Sequence, residues 1–278
     1  MKLSRKRIED FQKLIFDWWE KNRRDLPWRR TYDPYHILIS EVMLQQTQVS
    51  RVLPKYREFV TVFPTVMELA KATPADVLRV WRGMGYNRRA LYLRKTAVSV
   101  IHDHKGRFPK IESELRKLPG LGMYTARALL VFAYKQDISM VDTNIRQIIT
   151  HYFFGGKAQP TIVIAGVADQ LVPKGKSWAW HQALMDFGSS ELKKIHPPWA
   201  DRNGKKKTSI PFKETNRYFR GKVIDRLRDG SYNEKLFTVE LSGLFGKSPQ
   251  FVAGIIERLK NDGLVCISKS GIIRLPER

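Results

Sequence analysis

The chain has 278 residues, room for one sizeable domain and a small one. Lysine and arginine number 50 against 27 aspartates and glutamates, a formal charge of +23 that exceeds what solubility needs and points to a polyanionic partner held with salt-dependent affinity. A single cysteine, Cys266, excludes an internal disulfide or a cysteine metal site; no apolar run is long enough to span a membrane and no signal peptide follows Met1, so the expected location is the cytoplasm.

In chain order, Ile8, Phe11, Leu14, Ile15, Trp18 and Trp19 recur at helical spacing and predict a packing helix over 6–20. Pro27 breaks the helical pattern, and Leu26-Pro-Trp-Arg-Arg30 sets Trp28 beside Arg29 and Arg30. That combination suits a nucleic-acid surface and equally a capped turn. From Pro34 the pattern predicts one helix to about Val52, along which Ile37, Leu38, Leu44 and Val52 fall within about sixty degrees of Glu41. A carboxyl on such an apolar stripe is costly to ionise, so its pKa should rise toward that of a general acid near neutral pH. The plainer alternative is a glutamate at the stripe's edge that reaches water or an arginine. Gln45, Gln46 and Thr47 come next as uncharged polar groups able to hydrogen-bond base edges.

Helices are predicted at 55–63, 65–72, 74–82 and 87–104. The segment Gly-Met-Gly-Tyr-Asn-Arg-Arg (83–89) carries Tyr86 and Asn87 into a helix whose first turn holds Arg88 and Arg89. Cations there oppose the helix dipole unless an anion offsets them or solvent screens them. Next comes a helix over 111–117, a turn at 118–122 and a helix over 123–134. The sequence Leu118-Pro-Gly-Leu-Gly122 lets the backbone from Gly120 through Leu121 to Gly122 turn tightly and aim N–H groups outward, a small anion site at a helix N-terminus. It reads as a helix-hairpin-helix for DNA phosphate, with a simple glycine C-cap as the structural alternative. Met140-Val-Asp-Thr-Asn144 then opens a helix at Thr143, where Asp142 is at the least a good N-cap.

Helices at 161–172 and 178–188 complete the first part. Residues 196–216 are basic and proline-bearing and read as a linker. Beyond them, helices at 218–227, 239–245 and 249–260 and short strands at 264–267 and 271–275 fit a winged helix, whose third helix would read a groove if the module binds DNA and would otherwise pack or dimerise.

The hairpin LPGLGMYTARA, the VDTN run and the segment LPWRRTYDPYHILISEVMLQQTQV (26–49) together resemble the HhH-GPD superfamily of DNA glycosylases, and within it the adenine DNA glycosylase (MutY) branch, over about residues 10–190. The resemblance implies an all-α fold of two helical lobes, a barrel over about 23–136 and a second lobe from 1–22 and 137–195, with the winged-helix-like domain at 217–278. It implies Glu41 as the acid that protonates the base, Asp142 as the carboxylate that steadies the sugar cation, and Tyr124 and Asn144 as supporting groups. Trp28, Arg29, Leu44, Gln45, Gln46, Thr47 and Gln182 match the adenine-removing branch; Tyr86, Asn87 and Arg88, with Leu118, Gly120, Leu121 and Gly122, match DNA-binding segments. The implied partner is double-stranded DNA bearing a mismatched or damaged pair, bound by a nucleoid-associated monomer, and the hairpin admits a monovalent cation. Bifunctional relatives carry a lysine where Tyr124 stands, so the expected chemistry is monofunctional.

Three departures stand out. Most relatives carry four cysteines after the helix ending near Gly188; Ser189 to Pro198 has none, so no iron–sulfur cluster and no metal are expected. The branch's 8-oxoguanine-inspecting domain is not recognisable, and Asn87 stands where a second tyrosine is usual. Two alternatives stay open: a thymine or uracil mismatch glycosylase, and a non-catalytic DNA-binding protein. The second is disfavoured because Glu41 and Asp142 hinder phosphate binding.

Overall fold

The computed structural model describes residues 1–192 and 211–277. The proposed cluster region lies partly, and the linker 196–216 mostly, outside the described residues. Helices dominate, as the periodicity predicts. Two compact units form, one from Met1–Glu41 with Phe108–Lys206 and one from Val42–Arg107 with Lys207–Arg278.

In the first unit, α1 (Arg5–Asn22) starts at Ser4, whose hydroxyl accepts from Arg7 N. Its apolar face, Phe11 and Ile15, packs into a core with Ile145, Ile148, Ile149 and Phe153 of α9 (Thr143–Phe154), Ile164 and Leu171 of α10 (Thr161–Leu171), and Trp180 and Leu184 of α11 (Ser177–Ser190). A short 3-10 turn, Pro27–Arg29, precedes α2 (Pro34–Leu44), and α7 (Glu112–Leu115) and α8 (Met123–Phe132) form the hairpin pair. Buried Ala126, Ala128, Leu129, Leu130, Val131 and Phe132 make α8 apolar on nearly every side, so it is a central helix.

The second unit contains α3 (Val49–Val62), α4 (Val66–Lys71), α5 (Pro74–Val80) and α6 (Arg88–His104), with α4 and α5 both packed on α6. It also contains α12 (Asn216–Asp229), β1 (Tyr232–Asn233), α13 (Glu234–Phe245), α14 (Pro249–Asn261), β2 (Cys266–Ile267) and β3 (Ile272–Arg274). The strands form an antiparallel sheet in the order β1-β3-β2, which with three helices is a winged-helix arrangement. Phe237, Leu241, Val252, Ile255, Ile256 and Leu259 are buried, giving this module a core of its own.

The helix expected over 34–52 breaks at Leu44 and resumes at Val49. Arg89 is the cause. Its guanidinium Nη1 donates to the carbonyls of Val42 (2.7 Å), Met43 (3.2 Å) and Gln45 (2.6 Å), and Nη2 donates to the Thr47 hydroxyl and to the Met84 and Gly85 carbonyls. The last carbonyls of α2 thus end on a side chain, and Gln46 takes a left-handed conformation (φ 54°). Helix α3 runs on through Pro54, where the sequence suggested a new start. In the module, the second helix begins at Glu234, earlier than expected, because Asn233 caps it by accepting from Lys235 N and Leu236 N.

Candidate active site

In the first unit the Glu41 side chain is 7% exposed, on the helix that also buries Ile37, Leu38 and Ile39. Burial pushes its pKa up to about 7; the Tyr124 hydroxyl, set to donate to it, and the Arg29 charge partly oppose that, while the Asp142 charge reinforces it. The carboxyl is thus buried and does not reach solvent at the stripe's edge, and it stays largely protonated below neutrality. The Tyr124 phenol, on the first turn of α8, is raised by its burial and by the same two carboxylates, and so stays a donor.

Asp142 is the N-cap of α9. Its Oδ1 accepts from Ile145 N at 2.7 Å. Burial raises its pKa, although the backbone N–H groups of the cap favour the charged form. The cap and a chemical role are compatible, because the bond to Oδ1 fixes the direction of the carboxylate. Asn144, in the first turn of α9, lies against Gly188 of α11 so closely that a Cβ on Gly188 would stand 2.8 Å from the Asn144 Cβ. Only glycine fits there.

The approach to Asp142 is held from behind. The buried His181 accepts from Met140 N at Nε2 (3.1 Å) and its Nδ1 donates to Ser177 O (2.8 Å), which fixes one neutral tautomer; burial lowers its pKa to about 4. Arg127 ties the hairpin to the same segment, donating from Nε to Glu112 (2.9 Å) and from Nη1 to Ser139 O (3.1 Å).

Arg29 is 7% exposed at its side chain and makes a two-pronged ion pair with Asp186 of α11, at 2.7 and 2.8 Å. Asp186 also accepts from Arg24 Nε (2.5 Å), Arg24 N (3.1 Å) and Trp19 Nε1 (3.0 Å). Arg29 is thus bound within the protein, where its sequence context suits a nucleic-acid surface and a capped turn equally. Trp28 and Gln182 are likewise buried in this unit, at 7% and 5% exposure. Sequence reasoning does not find Asp186, Arg24, His181 or Gly188. A signal exists: His181, Gln182 and Asp186 are polar on a helix otherwise lined by Trp180, Ala183, Leu184 and Phe187.

The hairpin divides its residues by face. Leu118 and Leu121 are buried and anchor the turn, while Gly120 (φ 81°) and Gly122 are exposed. Gly122 is the N-cap of α8 and, among the described residues, no side chain caps it, so the first-turn N–H groups can meet an acceptor from outside the helix.

The remaining sequence-derived residues belong to the second unit. Gln45 and Gln46 are exposed on the turn held by Arg89, with Leu44 and Thr47 half-buried. Tyr86 is 39% exposed and has φ 45°. The Asn87 Oδ1 accepts from Arg228 Nη2 (3.1 Å), and Arg88 pairs with Asp262 (3.5 Å), so the Arg88 charge is partly met within the chain.

Residues 39–173 match the family model of the HhH-GPD superfamily base excision DNA repair proteins. An adenine DNA glycosylase of Mycolicibacterium smegmatis is 34% identical, over 90% of this chain and 91% of its own length. A thymine/uracil-DNA glycosylase of Methanothermobacter thermautotrophicus is 33% identical over 67% of this chain and 86% of its own. Among solved structures, a thermostable thymine-DNA glycosylase superposes with a TM-score of 0.63 at 32% identity, covering 66% of this chain and 87% of its own. With the hairpin, the buried Glu41 and the Asp142 cap all inside the matched span, and with a relative named adenine DNA glycosylase matched over nearly its whole length, the chain belongs to the HhH-GPD superfamily of base excision DNA repair proteins.

Proposed function

We propose that the protein is a monofunctional glycosylase that hydrolyses the N-glycosidic bond of adenine paired with guanine or 8-oxoguanine in duplex DNA. The observation that carries this is the burial of Glu41, whose pKa is pushed up to about 7, in the same unit as Asp142, whose charge acts on it. Cleaving a purine needs a proton delivered to the departing base, and Glu41 holds one in a buried position. Adenine N7 accepts such a proton readily, whereas thymine and uracil depart as anions and gain less from it. Asp142, its cap fixing its direction, offsets positive charge developing on the sugar. Tyr124 has no amine, so it forms no Schiff base with the abasic sugar. The outward N–H groups at Gly122 hold a phosphate, and a monovalent cation is compatible with that turn.

With Cys266 as the sole cysteine the chain lacks the thiolates of a four-cysteine cluster; the purified protein should be colourless and iron-free, and an absorbance band tracking with iron and activity would contradict this. The 33% identity to a thymine/uracil-DNA glycosylase and the presence of Asn87 favour a second reading, excision of thymine or uracil opposite guanine.

Single-turnover base release from A:8-oxoG, A:G, T:G and U:G duplexes separates the two. Faster release of adenine supports the first reading; faster release of thymine or uracil overturns it. In the same assay Asp142→Asn should lose roughly 10²- to 10³-fold. If activity survives in the folded fraction while cooperativity of unfolding is lost, Asp142 is a cap alone.

A further inference from the structure

In the second unit five side chains stack alternately as ring and cation. The Arg89 guanidinium carbon lies 5.4 Å from the Trp81 ring centroid and 5.3 Å from that of Tyr86. The Arg217 guanidinium in turn lies 4.9 Å from the Tyr86 ring and 4.9 Å from the Phe212 ring. Arg217 Nη1 also donates to the Tyr86 hydroxyl. Trp81 is fully buried, while Tyr86 is 39% and Phe212 54% exposed, so the stack runs from core to surface.

The two cations differ in what they hold. Arg89 is committed to carbonyls of the turn at Gln45 and of the loop at Met84 and Gly85. Arg217 comes from the C-terminal module, and among the described residues its only hydrogen bond is to Tyr86. The same loop and the α5 segment before it receive further ties from that module. The buried Arg228 donates to Leu78 O (2.8 Å) and to Asn87 Oδ1 (3.1 Å), Asp229 pairs with Arg82, Asp262 pairs with Arg88, and Pro276 O accepts from Ala75 N (2.8 Å). Tyr86 meanwhile sits at φ 45°, a conformation that a bulky residue rarely holds unless its surroundings impose it.

We infer that Arg217 is a positioning residue: the C-terminal module, acting through the Phe212–Arg217–Tyr86 stack, holds Tyr86 in the conformation in which the exposed part of its ring can pack against a nucleobase of the bound duplex. The module is then a clamp on the 83–88 loop, and its contribution to DNA recognition is made through Tyr86. A base that packs against the exposed part of that ring meets a side chain already held by its neighbours, so no ordering of Tyr86 is needed on binding. The inference rests on the reading of the chain as a DNA glycosylase.

The test uses the full chain with Arg217→Ala, Arg217→Lys, Tyr86→Ala and the double variant Arg217→Ala/Tyr86→Ala. Hydrogen exchange of the free protein comes first, because it needs no DNA. Arg217→Ala should speed exchange of the amides from 83 to 88 and leave those of α14 unchanged; unchanged exchange in the loop overturns the inference. Binding to a mismatched duplex comes second. Arg217→Ala should weaken it about 5-fold, with partial rescue by Arg217→Lys, and should add nothing once Tyr86 is alanine. A full effect of Arg217→Ala in the Tyr86→Ala background, together with a salt slope shallower by about 0.9, would make Arg217 a direct phosphate contact and defeat the inference. If the wild type releases no base from any of the four duplexes, it is the glycosylase reading that fails, whatever the exchange data say of the loop.

Discussion

Two buried carboxylates of the same unit, Glu41 and Asp186, have opposite fates. Glu41 is 7% exposed and Asp186 1%, so burial alone would raise both. Around Glu41 burial wins: its hydrogen-bonding neighbour is a phenol, and Arg29 acts on it only as a nearby charge. Around Asp186 burial is the largest single influence too, yet two Arg29 bonds, two bonds from Arg24 and one from Trp19 outweigh it and hold the carboxyl below its usual range. Arg29 faces both groups and is spent on one. The acid is thus made by diverting the available cations to a neighbouring carboxylate, so that Asp186 stays charged and Glu41 keeps its proton below neutrality.

The largest effect should come from removing the proton donor. Glu41→Gln should cost roughly 10²- to 10⁴-fold in single-turnover base release while duplex binding persists. A near wild-type rate would remove Glu41 from the chemistry.

Removing the other member of the comparison should act on stability. Asp186→Asn leaves Arg29 buried without its counter-charge and should cost roughly 3 to 5 kcal/mol, read as a lowered denaturation midpoint at neutral pH. The loss should shrink in acid, because a carboxyl with a depressed folded-state pKa contributes stability above its unfolded pKa and surrenders it as pH falls through the folded value. A variant as stable as the parent would mean that the arginines find other partners.

Next in size is a pH effect of opposite sign. The Glu41 carboxyl keeps its proton to about pH 7 in the folded chain against 4.5 for an ordinary glutamate. Between those values the folded state binds the extra proton, so stability should fall as pH rises, by roughly 3 kcal/mol in all. Glu41→Gln should flatten this slope and gain about that much stability at pH 8; an unchanged slope would assign it to other groups. The smallest effect should come from Trp19→Phe, which deletes one of the donors to Asp186 at a cost of about 1.5 kcal/mol.

Much of the fold and of the site is legible in the sequence, and the rest is hidden for identifiable reasons. The helices over 5–22, 88–104, 143–154 and 249–261 arise from apolar spacing and capping residues, which are local. Glu41 is legible because its apolar neighbours share its helix. The break at Leu44 is not, since the group that ends the helix is Arg89, far along the chain, and nothing between Leu44 and Val49 is glycine or proline. Arg29 looks like a surface cation because its partner, Asp186, is distant in sequence and has no motif around it. The two-residue strand β1 is too short to show any alternation. In sequence Asn87 reads as a missing wedge, whereas its amide is engaged by Arg228; replacing it by tyrosine should therefore disturb the module's hold on the loop as well as add a ring.

The most direct test of Glu41 as the proton donor is a titration of its carboxyl, tracked by carbon NMR on glutamate-labelled protein, with Glu41→Gln identifying the resonance. A midpoint near 7 is expected, moving up in any folded variant that removes the Arg29 charge. A midpoint between about 4 and 5 would show a glutamate ionised at neutral pH, and would contradict the assignment of Glu41 as the proton donor.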